Sequence, residues 1–176
     1  MRMYLPNLLT AARFPLALAL LAAEDTAWFL TLYLFCCLTD VLDGLAARRL
    51  NACSEFGAGL DSAADLAVTA VLVWKLWPVA APGVWLTLWI AAVAVLRFGA
   101  ALIAKLRFGH LGFLHTWGNK AAGVLLALYP FVLVLTEFRW ALVVVLAAAT
   151  LSALEELAIQ CTAERWEPDR SSIIYK

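Results

Sequence analysis

The amino-acid sequence predicts an all-α, polytopic membrane fold: a bundle of six transmembrane helices forming a single domain over residues 1–176. Three observations carry that prediction. The chain is 65% hydrophobic and only 15% charged, with a mean hydropathy of +0.88, well outside the balance of a water-soluble domain. Apolar runs matching the roughly 20 residues a helix needs to cross the bilayer core recur along it. Polar or Pro/Gly punctuation separates them, and no stretch is left over for an extramembrane domain.

The spans are placed in order near Leu5 to Ala23, Ala27 to Ala47, Leu60 to Val79, Val84 to Leu106, Gly118 to Thr136 and Trp140 to Cys161. The opening, "MRMYLPNLLTAARFPLALALLAAED", has the basic residues and short apolar run of a secretory signal, but Arg13 lies too deep in it and five further spans follow. The last span leaves "AERWEPDRSSIIYK" as a solvated tail. No internal repeat, heptad or low-complexity tract interrupts the series.

Lys and Arg balance Asp and Glu at 13 each, so net charge predicts no nucleic-acid partner, and the informative feature is where the cations lie. Six crossings put both termini on one side, with Arg48, Arg49, Lys105, Arg107 and Lys120. That side is predicted to be cytoplasmic, within the cell membrane. The opposite loops, "AAEDTAW", "WPVAAPG" and "TEFRW", carry little positive charge beyond Arg139, and Lys75 snorkels outward from its helix end. Trp28, Trp74, Trp77, Trp85, Trp89 and Trp140 gather near those outer ends as an aromatic belt.

Cys36, Cys37, Cys53 and Cys161 show no metal-ligand spacing and are read as small apolar fillers without a disulfide framework. The chemistry is concentrated elsewhere, in "DVLDGLAARRLNACSEFGAGLDSAAD", residues 40–65. At 100° per residue, Asp40, Asp43, Gly44 and Ala47 fall at about 0°, −60°, +40° and −20° on a helix, one narrow face. Gly57, Asp61 and Asp65 fall at about 0°, 40° and 80° on the next. Two acid-bearing faces joined by a short loop are able to meet.

A carboxylate at the bilayer centre costs roughly 2.5 to 3.5 kcal/mol on insertion scales, and four together repel one another. Bound positive charge is the remedy. Hard oxygen ligands in this number suit Mg²⁺, Mn²⁺ or Ca²⁺; the His and Cys expected for zinc and the dense acidic loop of an EF-hand are missing. A pair of Mg²⁺-like ions holding a diphosphate, at the cytosolic ends of the helices, is the economical arrangement. Gly44, Ala47 and Gly57 either let a flat ligand approach the backbone or form a small-residue packing seam. Arg48 is either a positive-inside flank or a phosphate ligand.

The string Asp40-x2-Asp43-Gly44-x2-Ala47-Arg48-x8-Gly57-x3-Asp61-x3-Asp65 resembles the signature of the CDP-alcohol phosphatidyltransferase family, with every signature position filled. "PNLLTAAR" is similar to the Asn-x2-Thr-x2-Arg that often opens its members. The resemblance implies transfer of a phosphatidyl group from CDP-diacylglycerol to a small alcohol acceptor, releasing CMP. By motif position it implies that Asp40, Asp43, Asp61 and Asp65 surround a binuclear Mg²⁺ or Mn²⁺ site and that Asp65 is the general base. It places Gly44, Ala47, Arg48 and Gly57, with Asn7 and Thr10 of the opening motif, at the nucleotide. It also favours a homodimer in the lipid bilayer.

The acceptor is read from the cations. Arg97 lies inside the fourth span, where an unpaired cation is costly and usually functional. With Arg107 and Lys120 it suggests a basic pocket for a phosphorylated acceptor. Small bacterial phosphatidylglycerophosphate synthases, which use glycerol-3-phosphate, resemble the chain in length and in an Arg in the fourth helix. Two features depart from them: Leu66 follows the last acid where those synthases commonly have Lys, and "HTWGNKAAG" is only loosely similar to their Gly-Lys-x-Lys-Thr segment. Inositol phosphate, serine or another alcohol stay open. His110 and His115 are read chiefly as polar loop residues, and Glu155 and Glu156 are left outside the catalytic set.

Two rival classes use similar residues. A membrane prenyltransferase grips a diphosphate with Mg²⁺ and two aspartate-rich helices, but in a longer bundle without the Gly and Ala-Arg spacing. A cation transporter wants its acids near the midplane and open to both sides, rather than at one helix end.

Overall fold

The computed structural model describes residues 5–50, 54–109, 114, 116–163 and 172, and among them every regular element is an α-helix. The order is α1 (Leu5–Ala22), α2 (Thr26–Arg49), α3 (Glu55–Ala80), α4 (Val84–Phe108), α5 (Trp117–Thr136) and α6 (Ala141–Thr162). The chain gathers into two compact units, Met1–Val79 and Ala80–Lys176.

Five helices are long and apolar enough to cross a membrane: α2 over Thr26–Ala47, α3 over Gly59–Ala80, and α4, α5 and α6 over their full lengths. The first is shorter. Its apolar stretch, Pro6–Ala22, rises about 26 Å at 1.5 Å per residue, a little under the bilayer's roughly 30 Å core. Apolar side chains face outward throughout, among them Leu18, Leu34, Val73, Val95, Leu126 and Leu151, as a lipid solvent requires.

In the first unit α1 packs antiparallel on α2, and Ala17 and Leu20 of α1 and Phe29, Leu32, Tyr33 and Cys36 of α2 are buried. The reversal takes three residues, Ala23 to Asp25, because Asp25 caps α2: its carboxylate accepts the Trp28 N–H at 2.8 Å. Ser54 does the same for α3, its hydroxyl accepting the Gly57 N–H at 3.0 Å. That cap starts α3 at Glu55, five residues before the predicted Leu60. Lys75 reaches back from α3 to the Ala23 carbonyl at 2.7 Å, tying α3 to the chain just past the end of α1. Its ammonium therefore has a definite partner beyond the outward snorkelling expected of it.

In the second unit α6 packs against both α4 and α5. Ala100, Ala101 and Ala104 give α4 a buried small-residue face, the kind of surface that lets helices approach closely in lipid. Thr116 caps α5 by accepting the Asn119 N–H at 3.1 Å, and Gly109, with φ of 76°, ends α4 in the left-handed conformation. Arg107 donates to the carbonyls of Gln160 and Cys161, and of Ala163 at 3.3 Å, satisfying the end of α6.

Of the expected aromatic belt, Trp28, Trp74, Trp77, Trp85 and Trp140 are exposed at helix ends. Trp89 is fixed instead, its indole N–H donating to Thr150 Oγ1 at 2.9 Å. Cys36, Cys37 and Cys161 are free thiols. Cys53, His110, His115 and most of the tail lie outside the described residues, as does the side chain of Arg48.

Candidate functional site

The two acid-bearing faces do meet. Asp40 and Asp43 on the second half of α2 and Asp61 and Asp65 on the first half of α3 all contact one side chain, Arg13 of α1. Its Nη1 donates to Asp40 Oδ1 at 2.9 Å and Asp65 Oδ1 at 2.5 Å. Its Nη2 donates to Asp43 Oδ2 at 3.0 Å and to Asp61 Oδ1. Helical periodicity explains the convergence: spacings of three on α2 and four on α3 keep each pair on one stripe.

The four carboxylates are not equivalent. The Asp43 side chain is only 7% exposed, and Thr10 Oγ1 lies 2.6 Å from its Oδ2, closer than the 3.0 Å to the Pro6 carbonyl, so the hydroxyl proton goes to the acid. The side chains of Asp40, Asp61 and Asp65 are 50%, 45% and 59% exposed. One carboxylate oxygen from each lies within 4.8 Å of the others, close enough to share a cation. Ionised, the four acids exceed the one guanidinium by three charges, and the donors are all carboxylate oxygens. That chemistry fits hard divalent ions.

The glycine and polar positions around the acids sort by contact. A Cβ on Gly57 would stand 3.0 Å from Asn7 Oδ1 and 3.1 Å from Ser54 Oγ, so the absent side chain is what lets Asn7 of α1 lie against α3. Thr10 binds Asp43 directly, and Gly44 and Ala47 are half-buried on the acid face of α2. The first unit thus brings together Asn7, Thr10, Asp40, Asp43, Gly57, Asp61 and Asp65.

A family model described as CDP-alcohol phosphatidyltransferase matches residues 3–154, which includes every one of these positions. The chain belongs to the CDP-alcohol phosphatidyltransferase family. A relative from Aquifex aeolicus (strain VF5), named CDP-diacylglycerol--glycerol-3-phosphate 3-phosphatidyltransferase, is 41% identical over 70 residues. That alignment covers 38% of this chain and 39% of the relative, so the chain matches well under half of the relative's length. No solved structure matches.

In the second unit of this CDP-alcohol phosphatidyltransferase family member, Arg97 is embedded in a polar network. Its Nη1 donates to Asn119 Oδ1 at 3.0 Å and pairs with Glu156 Oε2 at 3.4 Å, and its Nη2 donates to Ser152 Oγ at 3.2 Å. Glu156 is fully buried and also accepts the Leu114 N–H at 2.9 Å and Asn119 Nδ2 at 3.2 Å. Ser152, Glu156 and Gln160, four residues apart, form one stripe of α6. The other two expected acceptor cations have separate contacts: Arg107 holds the α6 carbonyls, and Lys120 stands 5.2 Å over the Trp117 ring. Among the described residues they share no partner with Arg97.

Two residues stand out that the sequence reading left aside. Arg13 is 1% exposed yet touches all four acids; its place as the Arg of the opening Asn-x2-Thr-x2-Arg string and as a cation midway along an apolar segment were the available signals. Glu156 was recognisable as an acid in an apolar helix, but its partner Arg97 lies 59 residues earlier.

Proposed function

We propose that the chain transfers a phosphatidyl group from CDP-diacylglycerol to an alcohol, with release of CMP and with glycerol-3-phosphate as the acceptor. The observation that carries this reading is the convergence of four aspartates from two helices on one cation in a chain of this family. Divalent ions, Mg²⁺ or Mn²⁺, held by Asp40, Asp43, Asp61 and Asp65 would supply charge neutralisation on the diphosphate, the dominant electrostatic demand of such transfers.

The chain's own groups do the rest. Asp65, the most exposed of the four acids, takes the acceptor's hydroxyl proton as its oxygen attacks the lipid-bearing phosphorus. The bond from that phosphorus to CMP breaks. Asn7, Thr10, Gly44, Ala47, Arg48 and Gly57 hold the nucleotide, with Thr10 acting partly through Asp43. Arg97, Arg107 and Lys120 serve the acceptor phosphate; the curated relative's name, with its glycerol-3-phosphate, supports that acceptor. We place the protein in the cell membrane as six crossings with both termini and the acids toward the cytosol, and as a homodimer.

Purified protein supplied with CDP-diacylglycerol, Mg²⁺ or Mn²⁺ and a panel of glycerol-3-phosphate, inositol phosphate, serine and inositol tests the reading. CMP is expected only with metal and acceptor together, and fastest with glycerol-3-phosphate. If no acceptor elicits CMP and ion flux responds to Asp43→Asn, the chain is a cation transporter instead.

A further inference from the structure

The side chain opposite the four aspartates is itself a site component. Arg13 is almost completely buried, and both of its terminal nitrogens are divided among carboxylates of two different helices. Among the described residues its Nε is buried without a hydrogen-bond partner, and the guanidinium's hydrogen bonds all go to the acids. A planar fork with two terminal nitrogens is needed to reach four carboxylates at once; an ammonium is a single point charge. Three of those acids, Asp40, Asp61 and Asp65, are also the ones whose oxygens lie close enough to share a cation. Every acid of that metal-sized group is therefore also a partner of Arg13, with Asp43 as a fourth partner outside the group.

We propose that Arg13 is the resident counter-cation of the aspartate cluster and that a divalent ion binds there in exchange for it. The proposal rests on the metal-dependent reading above. Four acids brought together without compensation would repel one another strongly in a low-dielectric setting. Arg13 removes part of that repulsion and lets α1, α2 and α3 assemble before metal arrives. The same contact lowers metal affinity, because an incoming ion must displace ion pairs already made and meets a positive charge a few ångströms away. Arg13 acts on the reaction through the ligands as a positioning residue, setting how tightly the ion is held.

Mn²⁺ binding, followed by the electron paramagnetic resonance of free Mn²⁺ on purified full-length protein in detergent at pH 8, tests this without turnover. R13Q is expected to bind Mn²⁺ at least about tenfold more tightly than wild type, the scale of one unit charge removed beside the ligands. It is also expected to melt at a lower temperature in EDTA, with most of the loss recovered in saturating Mn²⁺. R13K retains a charge without the fork and is expected to fall between R13Q and wild type. It decides the matter should R13Q not fold: Mn²⁺ affinity for R13K equal to or weaker than wild type overturns the exchange. So does an R13Q protein that binds Mn²⁺ no more tightly than wild type, or that is destabilised equally in EDTA and Mn²⁺, since Arg13 is then only a cross-link between helices. Wild-type protein that binds no Mn²⁺ beyond the level of D61N overturns the metal reading itself, and the exchange with it.

Discussion

Thr10 and Asp43 join α1 to α2 by a 2.6 Å hydrogen bond at the one aspartate of the four that is buried. Asp43 has few alternatives there: its other described partner is Arg13, at 3.0 Å. Thr10→Val keeps the shape and removes the donor, leaving a buried carboxylate short of one charge-assisted bond. Stability is expected to fall by about 1.5 to 3 kcal/mol, read from denaturation in detergent, and Thr10→Ser is expected to restore most of it. Equal stability of the valine variant would mean that the hydroxyl bonds the Pro6 carbonyl instead.

The proposed function gives Asp65 the role of base and Asp40 that of a metal ligand. Asp65→Asn keeps an oxygen ligand but loses the base, so CMP release is expected to fall by about 10² to 10⁴ with CDP affinity largely kept. Asp40→Asn is expected to weaken metal-dependent CDP binding as well as turnover. Calorimetric titration with CDP in Mg²⁺ checks both, and an equal loss of affinity in the two variants would contradict the division.

The same acids show what a sequence discloses. Asp40, Asp43, Asp61 and Asp65 were legible because helix periodicity is a local property, and spacings of three and four put them on facing stripes without knowledge of the packing. The six helices were legible for the same reason, though hydropathy placed the start of α3 late: its polar first turn, capped by Ser54, resembles a loop in an apolar window. Arg13 and Glu156 were visible as charges but not as partners. Their counterparts lie 27 to 52 and 59 residues away, and ion pairing across such separations depends on tertiary packing that local patterning does not encode. The Arg107 contacts were not legible for a related reason, since its partners are backbone carbonyls, which every sequence position supplies.

Chelation separates structural from chemical dependence on metal. Arg13 already offsets part of the aspartates' charge, so EDTA is expected to abolish CMP release while leaving the helices formed. Far-ultraviolet circular dichroism and the CMP assay on the same sample check this, with activity returning on addition of Mg²⁺ or Mn²⁺. Loss of helicity in EDTA would show that the guanidinium does not suffice.

Arg97 is held by Asn119, Ser152 and Glu156, and its side chain is still 28% exposed. Arg97→Lys keeps the charge but not the bidentate fork. If the guanidinium binds the acceptor's phosphate, KM for glycerol-3-phosphate is expected to rise about tenfold with kcat changed much less. A fall in kcat with KM unchanged would assign Arg97 elsewhere.

The Arg97 and Glu156 pair is lopsided, because the carboxylate is fully buried and the guanidinium is not. Replacing Arg97 by Met leaves a buried anion whose remaining partners, the Leu114 N–H, Asn119 and Gln160, carry no charge. The expected cost is about 3 kcal/mol or more. Replacing Glu156 by Gln keeps an acceptor oxygen and leaves a cation that still has Asn119, Ser152 and partial solvent, so the cost is expected to be smaller, about 1 to 2 kcal/mol. The double variant buries neither unpaired charge and is expected to be more stable than the sum of the two losses implies, by about 1 kcal/mol or more. Denaturation of the four proteins in one detergent closes this cycle, and strict additivity would show that the 3.4 Å pair contributes nothing and that Glu156 serves its uncharged partners, the Leu114 N–H, Asn119 and Gln160.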